Sequence, residues 1–446
     1  MNSYKKHYKD TLRLGIPLCV GQVCVILVGF ADTIMVGHYS TDALASVSFV
    51  TNFFNLAVFT LLGFSYGITP IIGSLFARQD YSCAGATFRS AFAVNIVFGV
   101  LLTLVMGGAY FFLDSMGQPA ELMPIIKPYY LTVLASMIFV AIFNALRQFA
   151  DSLLRPSVGM WIQIAGNAVN IIFNYLLIYG KLGFPELGAL GAGVSTLGAR
   201  ILMAVVFVVV LMRGRAYAEI RKPFLRSRAR WCEMWKVAVI SLPIALQLAM
   251  ETGMFTVGGV MIGWLGTVEL ATYQVVITLA TLGYMFYYSL GSAITIRVAN
   301  YYGRDERGDV RRAAWAGYHV ILAVMLIFCV SVCVFRQPMV EMFTSDGVVV
   351  AAAFLLLPPL VIYQCGDAAQ ICFANALRGT SKSMSMMWIA FVAYVLVGIP
   401  AGYVMGFTLG LGSRGVFYGF GAALFLAGVL FFLQFLKASK PLQNHN

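Results

Sequence analysis

Charge is what this sequence has least of. Charged side chains make up only 11% of its 446 residues, while 60% are hydrophobic and the mean hydropathy is +0.85. A chain of this length with so little charge does not stay dissolved in water, so its solvent is lipid. Long polar stretches are missing as well, which leaves no room for a separate soluble domain. The sequence lacks a GxxxxGK[ST] phosphate loop, HExxH, GxSxG and any Cys/His group with metal-ligand spacing. An enzyme and a resident cofactor are therefore not expected, and any driving energy must come from an ion gradient or from another chain. The 8 cysteines form no CxxC pair, and several (Cys19, Cys24, Cys365, Cys372) lie in apolar stretches, against a disulfide framework or a zinc site. No small-residue cleavage site follows the basic start MNSYKKHYKD, so the first apolar run reads as a retained helix.

What is abundant is apolar sequence in lengths of roughly 20 residues or more, enough to span a bilayer as a helix. Such runs lie near 14–37, 46–76, 88–113, 121–146, 157–180, 188–212, 235–264, 270–299, 313–335, 348–375, 383–408 and 415–436. They are longer than barrel strands and apolar on every face, which predicts an all-α membrane protein of about 12 transmembrane helices. The net charge of +12 follows the same topology: with the N-terminus in the cytoplasm, 25 of the 30 Lys and Arg fall on that side. Lys127, Lys181, Arg336 and Arg414 fall outside, and Arg200 lies within the sixth span. Both termini are thus expected in the cytoplasm. The basicity is topological, and no nucleic-acid partner is expected.

The chain repeats itself. At an offset of 226 residues, 15–80 aligns with 241–306 without a gap: Pro17 meets Pro243, Met35 meets Met261, Gly37 meets Gly263, Thr41 meets Thr267 and Arg78 meets Arg304. Asn144-Ala145-Leu146-Arg147 recurs as Asn375-Ala376-Leu377-Arg378 at a slightly larger offset. The expected division is an N-lobe over 1–212, a basic linker over 213–236, and a C-lobe over 237–446 with a short cytoplasmic tail. Six spans per half give both halves the same orientation, related by a pseudo-two-fold axis along the membrane normal. Two such lobes flank a cleft that rocking opens to either side in turn.

Ionisable groups within a bilayer are costly, so each is a functional candidate. Three acids lie inside predicted spans: Asp32, Glu251 and Asp367. Such carboxylates can exchange a proton or a sodium ion for a cationic substrate. Helical spacing groups polar neighbours beside them. Gln163, Asn167, Asn170 and Asn174 form one stripe of the fifth span, Gln247 and Glu251 share a face, and so do Tyr363 and Asp367. The competing reading of the stripe is interhelical hydrogen bonding, which suits Gln163 and Asn167 at least as well. Gln247, Gln274, Tyr273, Tyr284 and Tyr288 are candidates for lining a substrate cavity. Pro17 and Pro243, at equivalent places in the two halves, are candidate hinges, with static bends as the alternative. Arg147, Arg378 and the basic cluster 304–312 are expected to anchor cytoplasmic ends to anionic lipid.

These residues resemble a family. Gly29-Phe30-Ala31-Asp32-Thr33-Ile34-Met35-Val36-Gly37 is similar to the first-helix signature of the MATE (multidrug and toxic compound extrusion) transporters. Asn170-Ile171-Ile172-Phe173-Asn174-Tyr175 resembles their fifth helix, especially in the NorM branch. Gln247-Leu248-Ala249-Met250-Glu251 and Tyr363-Gln364-Cys365-Gly366-Asp367-Ala368-Ala369-Gln370 resemble that branch's seventh and tenth helices. The likeness covers essentially the whole chain. It implies an antiporter of a bacterial inner membrane that expels cationic, amphiphilic drugs in exchange for Na+ or H+, with a monomer expected. It further implies an N-lobe ion site at Asp32, Asn170 and Asn174 and a C-lobe site at Glu251, Tyr363 and Asp367, with Na+ a candidate ligand of Glu251 and Asp367. Where some members carry a second N-lobe acid, this chain has Asn174. A lipid-linked oligosaccharide flippase of the same superfamily is the alternative; it calls for buried bases, for which only Arg200 is a candidate.

Overall fold

A computed structural model describes residues 2–116, 119–344 and 346–440. The last part of the expected tail, 441–446, lies outside the described residues. Among the described residues, 12 helices are long and apolar enough to cross a membrane. They are α1 (Tyr4–Tyr39), α2 (Thr41–Ala77), α3 (Tyr81–Tyr110), α4 (Ala120–Ser152), α5 (Pro156–Tyr179) and α6 (Ala189–Arg213). The second half supplies α7 (Trp231–Gly263), α8 (Thr267–Gly303), α9 (Arg307–Val334), α10 (Gly347–Gly379), α11 (Ser383–Thr408) and α12 (Gly412–Ala438). In hydrocarbon the backbone must satisfy itself, which a helix does along its whole length.

Local chemistry explains where the helices start and stop. Ser40 accepts from the amides of Asp42 and Ala43 at the head of α2, and Asp80 accepts from Cys83 at the head of α3. Asp346 does the same for Val348 in α10, and Pro156 opens α5. Gly180 closes α5 at φ +62°, a backbone state that favours glycine. Several helices outrun the apolar stretches seen in the sequence. The helix that carries α1 runs over Asn2–Tyr39 and α8 continues to Gly303, because polar turns extend each helix past its hydrocarbon-length segment. The second span is broken at Tyr66–Gly67 into Thr41–Ser65 and Ile68–Ala77. α11 widens into π-helical turns over Phe391–Gly398 and Val404–Thr408, on either side of Pro400.

Packing divides the chain differently from the expected 1–212, 213–236 and 237–446. One compact unit contains Met1–Cys19 with Leu246–Asn446, and the other contains Val20–Ala245. The boundaries fall inside α1 and α7, two residues beyond Pro17 and Pro243. Each unit therefore takes in the opening stretch of the other half's first helix. In the first unit, the α1 stretch is held by polar contacts: Arg297 donates to Thr11 Oγ1 at 2.5 Å and lies 2.6 Å from His7 Nδ1, and His7 Nε2 is 3.3 Å from Asp309. Gly15 lies against Leu290 and Ala293 of α8. In the second unit, Val237 of α7 joins a core with Phe88, Phe149 and Phe207, and Gly67 of α2 lies against Ser241. Under the 226-residue offset, Ser241 is the counterpart of Gly15 and Ala293 that of Gly67, so one contact is built twice. The linker is not a free tether either. Its helix Ala218–Arg226 belongs to the second unit, where Ile220 joins the same core.

The close approach at Gly67 yields a test. A Cβ there would sit 2.0 Å from Ser241 Oγ and 2.8 Å from Ser241 Cα. Gly67→Ala is expected to cost about 1–3 kcal/mol by overpacking. Ser241→Gly in the same chain should restore part of it, since the backbone contact persists. Thermal denaturation in detergent of the single and double variants measures both, and a fully stable Gly67→Ala protein would contradict this packing.

Candidate functional site

The second unit gathers the N-lobe candidates around Asp32 of α1. Asn174 of α5 donates from Nδ2 to Asp32 Oδ1, and Ser195 of α6 donates from its hydroxyl to Asn174 Oδ1. With its amide turned so that nitrogen faces the carboxylate, Asn170 donates to the same Asp32 oxygen at 3.0 Å, and its oxygen accepts from the Thr196 amide at 3.3 Å. Arg200, one α6 turn further, donates to Ser136 Oγ at 2.5 Å and interacts electrostatically with Asp32 and Tyr129. The α5 stripe thus splits in two. Asn170 and Asn174 serve Asp32, whereas Gln163 donates to Asn167 Oδ1 at 2.9 Å and makes its further contact with Met203. Ser195 and Thr196 were not legible as site residues, since small hydroxyls on an apolar helix carry no pattern of their own.

The first unit gathers the C-lobe candidates more tightly. Glu251 of α7 is 4% exposed and Asp367 of α10 is 1% exposed, and Asp367 feels the charge of Glu251. Glu251 Oε2 accepts from Gln247 at 2.8 Å and from Gln370 at 3.3 Å. Gln370 also donates to the Tyr394 hydroxyl at 2.7 Å. Tyr363, one turn before Asp367, interacts with both acids, and its ring meets Phe255 edge-on at 5.9 Å between centroids. Asp367 differs from Asp32 and Glu251: both of its buried oxygens have no hydrogen-bond partner among the described residues, and neither has the Gln370 side-chain oxygen. Buried polar atoms are normally paired, so a group of acceptors without donors calls for a cationic guest. Oxygen-rich donor sets suit hard cations, and a proton satisfies a carboxylate pair equally well. The residues present therefore fit either coupling ion.

Several placements differ from the sequence expectations. Arg378, expected at a lipid-facing end, is buried at 2% exposure. It donates to Asn375 at 3.0 Å, to Gln247 at 3.4 Å and to Tyr288 at 3.5 Å, because α10 continues to Gly379 and carries it into the packed unit. Arg297, counted as a cytoplasmic-side charge, is likewise buried inside α8, held by the His7 and Thr11 contacts. Gln247 and Tyr273 are poor candidates for a cavity wall. Gln247 is occupied by Glu251 and Arg378, and Tyr273 is buried with its hydroxyl on the Phe255 carbonyl at 3.0 Å. Gln274 is exposed, and Tyr284 and Tyr288 are half-buried and stacked at 5.4 Å between centroids. These three remain on a face that their own unit leaves accessible. Pro17 and Pro243 sit next to the two unit boundaries, where a hinge would act.

The comparisons with known proteins bear on this arrangement. The MatE family model matches residues 17–176 and again 243–404. The chain belongs to the MATE family. The two matches begin 226 residues apart, the offset found within the sequence itself. The multidrug resistance protein NorM of Vibrio cholerae serotype O1 is 29% identical, covering 100% of this chain and 99% of that protein. The multidrug resistance protein MdtK of Photorhabdus laumondii is 26% identical, covering 97% and 96%. Among solved structures, a multidrug resistance MATE transporter in an outward-facing conformation superposes with a TM-score of 0.88 at 18% identity, covering 98% of this chain and 97% of that one. At that identity the likeness establishes the twelve-helix MATE fold.

The Arg378 network generates a second test. Arg378 interacts electrostatically with buried Glu251. Arg378→Met removes a cation whose charge that carboxylate feels and the donor to Asn375 and Gln247, and should destabilise the protein by about 1–3 kcal/mol. Adding Glu251→Gln should return part of the loss, with a coupling of about 0.5–3 kcal/mol in a double-mutant cycle of unfolding. Additive losses would show that the two side chains do not act on each other.

Proposed function

We propose that this MATE-family chain is a secondary multidrug antiporter, exporting organic cations and amphiphilic drugs in exchange for Na+ or H+. The observation that carries the reading is Asp367, buried near the charge of Glu251 with neither carboxylate oxygen given a donor among the described residues. A coupling cation that binds there neutralises a charge which hydrocarbon penalises by about 2.5–3.5 kcal/mol on the insertion scale. Releasing it restores the penalty, so loaded and unloaded states differ in energy. Any rearrangement that favours one of them is thereby coupled to the ion.

Glu251, Asp367 and Tyr363 are the proposed ion site, with Gln247 and Gln370 orienting Glu251. Asp32 plays the second role. Asn170 and Asn174 already satisfy it, so it serves as a polar switch in the N-lobe, where protonation would loosen its amide contacts. Pro17 and Pro243 are the proposed pivots at which α1 and α7 pass from one compact unit to the other. The transporter sits in a bacterial inner membrane with both termini cytoplasmic, works as a monomer and catalyses no covalent chemistry. The flippase alternative gains nothing from the buried bases. Arg200, Arg297 and Arg378 all have hydrogen-bond partners within their own units.

Reconstitution into liposomes tests the reading. With pH and sodium gradients imposed separately, one of them should drive uphill movement of a fluorescent organic cation. Asp367→Asn should reduce that coupled flux by at least about tenfold, equal to 1.4 kcal/mol. Asp32→Asn should also reduce it. Full coupled flux in both variants would overturn the assignment of these acids.

A further inference from the structure

A cavity in the second unit is lined by none of the residues gathered around Asp32. After α6 ends, the chain turns at Tyr217 into the helix Ala218–Arg226, which folds back over α3, α4 and α6. Beneath it remains a cavity of about 250 Å³. Its walls are mostly apolar and include the rings of Phe88, Phe149 and Phe224. Phe88 stacks on Phe149 at 3.9 Å between centroids, and Phe224 closes over Phe88 at 5.3 Å. The covering helix is seated firmly: a Cβ on Gly85 of α3 would lie 2.5 Å from the Ile220 carbonyl oxygen. The space is therefore part of the fold and not a gap under a loose loop.

Two arginines belong to the cavity wall. Arg89 places its guanidinium 5.3 Å from the centre of the Phe224 ring, and Arg221 is fixed by donating to the Met212 carbonyl. Tyr217, also in the wall, is 3% exposed, and its buried hydroxyl has no hydrogen-bond partner among the described residues. The cavity is bounded by the opening turns of α3 and the closing turns of α6, so it lies where membrane helices end and headgroups begin. An apolar chamber with cationic groups at this depth has the shape and charge of a site for an anionic amphiphile. Organic cations are disfavoured by the arginine pair, small soluble anions make no use of the aromatic walls, and a zwitterionic lipid brings no net charge to the arginines. The linker around it is strongly basic, with 8 Lys and Arg in 213–236, which holds this end of the unit at an anionic surface.

We propose that this cavity binds one anionic phospholipid, with an acyl chain among Phe88, Phe149 and Phe224, the phosphate on Arg89 and Arg221, and the Tyr217 hydroxyl donating to an ester or phosphate oxygen. At Tyr217 the opposite charges of Arg155 and Asp151 offset each other, so the wall arginines Arg89 and Arg221 set where the phosphate lies. The lipid would tie the covering helix to the second unit.

The test uses the full-length protein in a neutral detergent, titrated with phosphatidylglycerol, phosphatidylcholine or glycerol 3-phosphate. Melting temperature and native mass spectrometry are the readouts. Phosphatidylglycerol should bind and raise the melting temperature, while the other two should do neither. Arg89→Gln with Arg221→Gln should weaken phosphatidylglycerol binding about tenfold. Arg228→Gln with Arg230→Gln, outside the cavity wall, should leave it unchanged. Leu146→Phe fills the chamber and should abolish binding with both arginines intact; if that variant does not fold, Leu225→Trp at the exposed rim replaces it. Equal binding of phosphatidylcholine, equal binding of the chainless phosphate, or undiminished binding by the filled variant would each overturn the proposal.

Discussion

The cost of holding charge away from water governs this molecule. With 60% hydrophobic residues and twelve lipid-length helices, most side chains need nothing beyond apolar neighbours. Charged groups inside the spans are different, because each must be paired, hydrogen-bonded or neutralised by a guest. Hydrogen bonding answers several of these charges: Arg297 and Arg378 are held by neighbouring polar groups, and Asp32 is served by two asparagine amides. Asp367 is different, with no donor to either oxygen among the described residues, and this contrast is what the proposed ion site rests on.

The repeat explains why the two units share a scaffold while their polar groups differ. Packing contacts are duplicated, as at Gly15 against Ala293 and Ser241 against Gly67. The acids are not. At the 226-residue offset, Asp32 faces Gly258 and Glu251 faces Val25, while at the larger offset Asp367 corresponds to Ser136. Duplicated packing keeps both halves foldable by the same rules. The unduplicated acids give the two halves different polar chemistry on that shared scaffold.

The exchanged opening stretches of α1 and α7 give the prolines their mechanical meaning. A proline within a helix removes one backbone hydrogen bond and lowers resistance to bending at that place. Here the weakened point lies two residues before the chain leaves one compact unit for the other, in both halves. α1 is held before Pro17 by the Arg297, His7 and Thr11 contacts and after it by those of Asp32, which is the arrangement the proposed pivot at Pro17 rests on.

By itself the sequence determined the number of spans, the helical class, the twofold repeat and the three acids, because periodic hydrophobicity and misplaced charge are local signals. It also supplied the groupings along single helices, such as Asn170 with Asn174 and Tyr363 with Asp367, since helical pitch fixes which residues share a face. Only the tertiary structure decided which unit each helix segment joins, since a packing boundary inside a continuous helix leaves no mark in composition. It alone buried Arg297 and Arg378, brought Gln370 and Tyr394 to Glu251, withdrew Gln247 and Tyr273 into packed interiors, and left Asp367 without a donor among the described residues. Those outcomes depend on contacts between residues far apart in the chain, whose partners are set by the packing of whole helices and not by any neighbouring residue.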